Sequence, residues 1–354
     1  MKPVLHLITT IERGGAENQL MILVRGQAAT GREVHVAYLK GNPELEFELK
    51  TLGVIVHGNL VGSNPLIQLF KLQKLVQGKN WIIHAHLPRA ELLSALSLNN
   101  CKLIISRHNA EPFFPKAPQF LSKLLSLFVC KRASSVIAIS NAVKNYLQVS
   151  GEVSRRSKID VVHYGYIPTQ ARNFLSKDLA TNPRKLGTVS RLAPQKDLHT
   201  LLYVFKEYKS IFPNSSLSIV GGGPSESEIR NLSTRLGLDD SITFEGRSNE
   251  VLEHIKSWDI FLLTSKYEGF GLVLLEAMDA SVPIIAASNS AIPEVMGDNF
   301  PGLGDTGNVE SFLGLLKEYQ DPAFRRNVLK VQESRLGIFT DIEMRLGIDK
   351  VYKS

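Results

Sequence analysis

The chain is 354 residues long, with 44% hydrophobic and 21% charged residues, which allows two globular domains of ordinary size and excludes a disordered or fibrous protein. Its net charge of +7 and pI near 9.2 suit an anionic small molecule or an anionic membrane surface as readily as a polynucleotide; with no aromatic-basic RNA motif or zinc-finger spacing present, nucleic acid is not expected as a partner. Cys101 and Cys130 stand alone, without CxxC or metal spacing, so neither a disulfide framework nor a structural zinc site is expected, and a reducing cytoplasm is the simplest location.

The amino terminus, MKPVLHLITT, turns at once into polar and glycine residues. Its apolar run is too short for a secretory signal peptide and reads as a first strand, Val4 to Ile8. No stretch approaches the roughly 18 consecutive apolar residues of a membrane span, so any membrane association is expected to be peripheral. Ile11 to Glu17 (IERGGAE) then leads into a helix through Ala16 to Ala28. Gly14 and Gly15 at this turn expose backbone N–H groups and admit a phosphate to the helix end. GxGxxG is absent, which disfavours a nicotinamide enzyme.

Further strand-like runs follow at Val34 to Leu39, Val54 to His57, Trp81 to His84, Leu103 to Ser106, Val136 to Ile139 and Ile159 to Val162. They alternate with amphipathic stretches, the rhythm of a parallel sheet covered by helices. His84 and His86 flank Ala85 and fall on one side if the strand persists. A metal needs third and fourth ligands that nothing nearby offers at convincing spacing, so a hydrogen-bonded structural or acceptor-side role is favoured for this pair. His108 follows the next strand in SRHNA. Phe113 to Arg132 mixes aromatics and leucines with Lys116, Lys123, Lys131 and Arg132. Such a stretch suits either an anionic membrane surface or a core-packed helix with a solvated basic edge.

A polar, turn-rich segment from Tyr164 to Pro183 separates this half from a second series of strands: Lys185 to Ser190, Leu217 to Val220, Ile242 to Glu245, Asp259 to Thr264 and Pro283 to Ala286. After the first of these comes SRLAPQKD. Arg191 can make a two-pronged contact and Lys196 a point-charge contact with a departing diphosphate, and fixed cations aimed there lower the barrier to group transfer. No Asp-x-Asp pair is present; Glu226 and Glu228 fall in a helical stretch. Arg191, Lys196 and helix amides, not a divalent ion, are therefore expected to neutralise the diphosphate, with no cofactor. Gly221 to Pro224 (GGGP) reads as a structural turn or a ligand loop, and Arg247, after Gly246, can border a base through its backbone.

The most informative segment is Tyr267 to Met278, YEGFGLVLLEAM. Glu268 lies in the loop at a strand's carboxyl end, where open α/β sheets bind ligands. Gly269 and Gly271 let the backbone approach a ligand, and the amides of Phe270, Gly271 and Leu272 open a helix whose dipole favours phosphate. Glu276, inside that helix, is placed to accept hydrogen bonds from a ribose. Thr340 to Tyr352 closes the chain with Ile342, Ile348 and Val351 at helical spacing.

From GGAE through the Arg191–Lys196 loop to Glu268 and Glu276, the chain resembles the family 4 retaining glycosyltransferases (glycosyl transferases group 1), of the bacterial polysaccharide and lipid-linked glycan type. Ser190, Ser281-Val282 and Ser290-Ala291 depart from glycines common in that family's pattern. The resemblance implies a GT-B fold: two Rossmann-like doubly wound α/β domains facing a central cleft. The domains are residues 1–165 on the acceptor side and 185–338 on the donor side, joined by a linker at 166–184, with a helix at 339–354 returning to the first. It implies that His108 approaches the donor sugar, Glu268 holds its hydroxyls and Glu276 holds the ribose. Gly14, Gly15, Arg191, Lys196, Arg247, Gly269, Phe270, Gly271 and Leu272 line the nucleotide. The implied reaction moves a sugar from a nucleotide diphosphate sugar, by family habit a UDP-sugar, to a glycan or lipid-linked acceptor with retained anomeric configuration. Its implied setting is the cytoplasm or the inner face of the cell membrane. An epimerase, a phosphorylase or a non-catalytic nucleotide-sugar-binding protein on the same architecture is the alternative.

Overall fold

A computed structural model of the protein describes residues 1–97, 100–169 and 183–354, in two compact units. Met1–Ile167 and Phe339–Ser354 form the first, Pro168–Ile338 the second. Most of the expected linker, residues 170–182 of 166–184, lies outside the described residues.

In the first unit seven parallel strands form one sheet: β1 (Val4–Ile8), β2 (Val34–Tyr38), β3 (Ile55–His57), β4 (Ile82–His86), β5 (Lys102–Arg107), β6 (Ser135–Ala138) and β7 (Ile159–Val161). Their spatial order is β3-β2-β1-β4-β5-β6-β7. Every residue of β1, β2 and β4 is buried, as expected for strands covered by helices on both faces. The helix Asp341–Lys353 belongs to this unit despite its place in the sequence. Arg32 pairs with Asp349 at 2.7 Å, the Thr340 hydroxyl caps the helix by accepting from the Glu343 amide, and Gly347 admits Val162, whose Cγ1 lies 2.9 Å from where a Cβ would stand.

The second unit repeats the plan with β8 (Lys185–Val189), β9 (Ser216–Val220), β10 (Ile242–Gly246), β11 (Ile260–Leu263), β12 (Ile284–Ala287) and β13 (Leu303–Gly304), ordered β10-β9-β8-β11-β12-β13. Counted within each unit, the orders run 3-2-1-4-5-6-7 and 3-2-1-4-5-6, so strand order reverses between β1 and β4 and again between β8 and β11. The crevice outside the carboxyl ends at such a switch point is where doubly wound sheets take ligands. Gly187 in β8 is required by Trp258, whose ring atoms come within 2.0 Å of the place a Cβ would take.

Two differences from the sequence reading have simple causes. The stretch Phe113 to Arg132 is helical only over Gln119–Arg132, because Pro115 and Pro118 set its start. The edge strand β13 is two residues long, too short for any pattern to register.

Candidate active site

At the switch point of the second unit, the loops after β8 and β11 are laced together. The Thr264 hydroxyl donates to the Asp197 carbonyl at 3.0 Å, and the Lys266 amide to the Gln195 carbonyl at 2.7 Å. This brings Lys196 onto Glu268, its Nζ 2.7 Å from both carboxylate oxygens. The Ser265 hydroxyl donates to the same carboxylate at 2.7 Å. The pair is mostly buried, with side-chain exposures of 18% for Lys196 and 9% for Glu268. Arg191 is exposed on the same loop.

GGGP is the floor of this arrangement. A Cβ on Gly221, at φ +132°, would stand 1.9 Å from the Ser190 carbonyl oxygen, and one on Gly223 would stand 2.3 Å from that of Leu192. Glycine is required because main chain packs directly on main chain there. The middle glycine, Gly222, lies beside the exposed Arg247.

Gly271, at φ +91°, is the N-cap of the helix Leu272–Asp279, and no side chain caps that end. Its first amides therefore face outward with the positive end of the helix dipole, and Phe270 anchors the turn by burying its ring. Gly269, before it, is half-buried. Glu276 sits in the second turn of the helix. Desolvation pushes its carboxyl up to about 7, and it makes no ion pair among the described residues. A half-neutralised carboxylate without a partner is a hydrogen-bonding group waiting for one.

Sequence reasoning missed the support behind Glu268. In the loop after β12, the Ser290 hydroxyl donates to the Glu268 carbonyl at 2.7 Å and Asn289 Nδ2 to the Ser265 carbonyl at 3.0 Å. Ser290 holds φ +52°, a conformation glycine adopts at no steric cost. Its replacement of a usual glycine was the signal available.

In the first unit the helix Gly15–Ala29 begins at Gly14, again without a side-chain cap. Here the seat is already negative. The Thr10 hydroxyl donates to Glu17 Oε1 at 2.6 Å, and Glu17 Oε2 lies 2.5 Å from where a Gly14 Cβ would stand. An anion at Gly14 and Gly15 meets this carboxylate, whereas the helix start at Gly271 shares its switch point with Lys196 and Arg191.

His84 and His86 lie within β4, with ring centroids 4.2 Å apart, and parallel register sets His6 of β1 beside His84. His6 is the third imidazole that spacing along the chain could not show; a histidine inside the apolar run VLHLI was its only trace. The three bring ligand atoms within 4.8 Å of one another. Every ring nitrogen is nonetheless paired. His6 bonds Gln27 and His86, His84 bonds Tyr352 and Ser106, and His86 bonds His6 and His108. His108 completes the cluster through Tyr164, whose hydroxyl lies 2.5 Å from its Nδ1. Burial, then the neighbouring Arg107 charge, pushes His108 down to about 4, so it is neutral at neutral pH. Arg107 itself is fixed at 2.8 Å from Glu91 and 3.3 Å from Glu152, which anchors the strand end that carries His108.

Residues 13–170 match the family described as Glycosyltransferase Family 4, and residues 170–326 match Glycosyl transferases group 1. The chain is 26% identical over 268 residues to N-acetyl-alpha-D-glucosaminyl L-malate synthase of Bacillus anthracis, covering 70% of this chain and 68% of that one. It is 34% identical over 124 residues to the GDP-mannose-dependent alpha-(1-6)-phosphatidylinositol monomannoside mannosyltransferase of Mycobacterium tuberculosis (strain CDC 1551 / Oshkosh). That match spans 32% of either chain, about a third of the relative's length. The crystal structure of Anabaena Alr3699/HepE in complex with UDP and glucose is similar over 100% of both chains, with a TM-score of 0.80 at 20% identity.

Proposed function

From a chain that belongs to the family 4 glycosyltransferases and has their GT-B architecture of two Rossmann-like units, we infer a retaining transfer of a sugar from a nucleotide diphosphate, UDP first among them, to a glycan or lipid-linked acceptor. One observation carries the reading: Lys196 and Glu268 are paired at the switch point of the second unit, whose loops also carry Arg191 and an uncapped helix start.

Breaking the bond between sugar and diphosphate leaves negative charge on the departing phosphate. Arg191, Lys196 and the amides of Phe270, Gly271 and Leu272 supply positive charge and N–H donors to it. Glu268, released from Lys196 as the phosphate takes over the cation, accepts from the sugar hydroxyls. Glu276 accepts from the ribose, and His108 is the residue that the family resemblance assigns to the donor sugar. The acceptor hydroxyl attacks the face from which the diphosphate leaves, and its proton passes to the departing phosphate oxygen. No residue is assigned as a covalent nucleophile, and no metal is required.

The UDP named with the Anabaena structure supports a uridine donor, while the mycobacterial relative's name carries GDP-mannose. The phosphatidylinositol monomannoside in that relative's name supports a lipid-linked acceptor here. Calorimetric titration with UDP, GDP, ADP and TDP, with and without a chelator, tests the reading. Selective binding of one diphosphate, UDP by expectation, with the chelator without effect is the supporting result. Binding of none overturns the diphosphate site, and binding that needs magnesium overturns its metal independence.

A further inference from the structure

In the first unit, His6 of β1, His86 of β4 and His108 after β5 form one uninterrupted string of hydrogen bonds. Gln27 Oε1 lies 2.8 Å from His6 Nε2, His6 Nδ1 lies 3.0 Å from His86 Nε2, and His86 Nδ1 lies 3.2 Å from His108 Nε2. The last ring ends on the Tyr164 hydroxyl. Gln27, His6 and His86 are all buried.

A neutral imidazole has a single N–H, so one nitrogen donates and the other accepts. The Gln27 amide nitrogen faces the Tyr352 hydroxyl at 3.4 Å, which leaves its oxygen toward His6. That oxygen can only accept, so His6 carries its proton on Nε2 and its Nδ1 accepts. His86 must then donate from Nε2, and its own Nδ1 accepts from His108 Nε2. The proton of His108 is committed to His86, and its Nδ1 is left as an acceptor, filled by the Tyr164 hydroxyl. Following Gln27 the other way gives the same result: Tyr352 donates to His84 Nδ1, and His84 donates from Nε2 to Ser106. Tyrosine and serine hydroxyls can donate or accept, so they impose no direction. The amide of Gln27, with one end of each kind, is what imposes it.

We propose that Gln27, acting through His6 and His86, fixes His108 as its Nε2–H tautomer, so that Nδ1 of His108 only accepts hydrogen bonds. Gln27, His6 and His86 are then positioning residues, none of which needs to touch a ligand. Burial pushes both His6 and His108 down to about 4, which keeps the string free of an extra proton at neutral pH. The catalytic meaning rests on the function proposed above: a sugar hydroxyl that takes the place of the Tyr164 hydroxyl must donate to His108, never accept from it.

The test reads the tautomers directly, with no donor present, so a failure to bind nucleotide leaves it intact. Full-length protein labelled with 15N-histidine is examined near neutral pH by long-range proton–nitrogen correlation, which distinguishes the two neutral tautomers. The His6, His86 and His108 signals are assigned from His6→Gln, His86→Gln and His108→Gln variants. Nε2–H at all three positions is the expected pattern. Gln27→Met, which removes the accepting oxygen without touching His108, is expected to turn the single His108 tautomer into a mixture. Nδ1–H at any of the three in the parent protein overturns the proposal, and so does an unchanged His108 in Gln27→Met. Should that variant fail to fold, the parent pattern decides alone.

Discussion

Glu276 is held under two opposing demands. Its burial stabilises the protonated form, with a pKa of about 7, whereas accepting from both hydroxyls of a ribose favours the ionised one. The folded protein holds this proton to higher pH than the unfolded chain does, so stability falls as pH rises from the ordinary carboxyl range through about 7, and stays lower above it. Glu276→Gln is therefore expected to stabilise the protein by on the order of 1–3 kcal/mol at about pH 8, with no gain at about pH 4. The same substitution should weaken nucleotide diphosphate binding and flatten its pH dependence, which in the parent strengthens on passing from about pH 6 to about pH 8. Denaturant titrations and calorimetry at both pH values check the opposite signs. Lys196 is bound to Glu268 by the reverse logic. Lys196→Ala leaves a buried carboxylate with only the Ser265 hydroxyl from its present side-chain partners, a loss of roughly 3 kcal/mol. Pairing Lys196→Met with Glu268→Gln should recover most of that stability without recovering transfer, and a Lys196→Met single variant as stable as the parent would show that the pair carries no structural weight.

At the scale of elements, the loops after β8, β11 and β12 act as one support. Ser290 exchanges backbone strain for a hydroxyl hydrogen bond to the Glu268 carbonyl. Ser290→Gly relieves the first and loses the second, each about 1 kcal/mol, so stability should hardly move while turnover falls. Ser290→Ala keeps the strain and loses the bond, and should melt below the glycine variant; the reverse order would show that the hydroxyl does not hold this loop. The strands of this support were legible because their cores, Ile260–Leu263 and Ile284–Ala287, are buried at every residue and so apolar throughout. The Ser290 contact was not legible, because hydrogen bonds between loops of different strands leave no period in the sequence. His6 shows the same limit. Its neighbours are set by the parallel register of β1 on β4, a pairing 78 residues apart that no local pattern encodes, whereas His84 and His86 were readable as a pair by alternation alone.

For the whole molecule, the same winding is used twice with opposite electrostatics. One switch point carries Glu17 and neutral imidazoles, the other Lys196, Arg191 and a bare helix start. The helix Gln119–Arg132 in the first unit adds a surface of its own. Phe120 is 75% exposed, and Leu121, Leu124 and Phe128 share its outward face, with Lys116, Lys123, Lys131 and Arg132 exposed around them. Ser122, Ser126, Val129 and Cys130 form the buried face. No helix among the described residues is long and apolar enough to cross a membrane. We propose that this face docks on an anionic bilayer, its apolar side chains entering the interface and its cations meeting lipid phosphates. Sedimentation with vesicles containing anionic lipid should carry the protein down and Phe120→Ser/Leu124→Ser should release it; equal sedimentation with neutral vesicles would remove the electrostatic part.

The closing helix Asp341–Lys353 also constrains how the protein is made. Tyr352 reaches back to His84 and Gln27, and Asp349 to Arg32, so the first unit lacks part of its interior until residues beyond the whole second unit have been made. While the ribosome is still producing the second unit, the imidazoles of β1 and β4 wait without that cover. The second unit has no such debt to later residues and can fold first. A nascent chain interrupted before residue 341 would then hold a finished second unit and an open histidine core, a distinction that proteases acting on incomplete polypeptides can read.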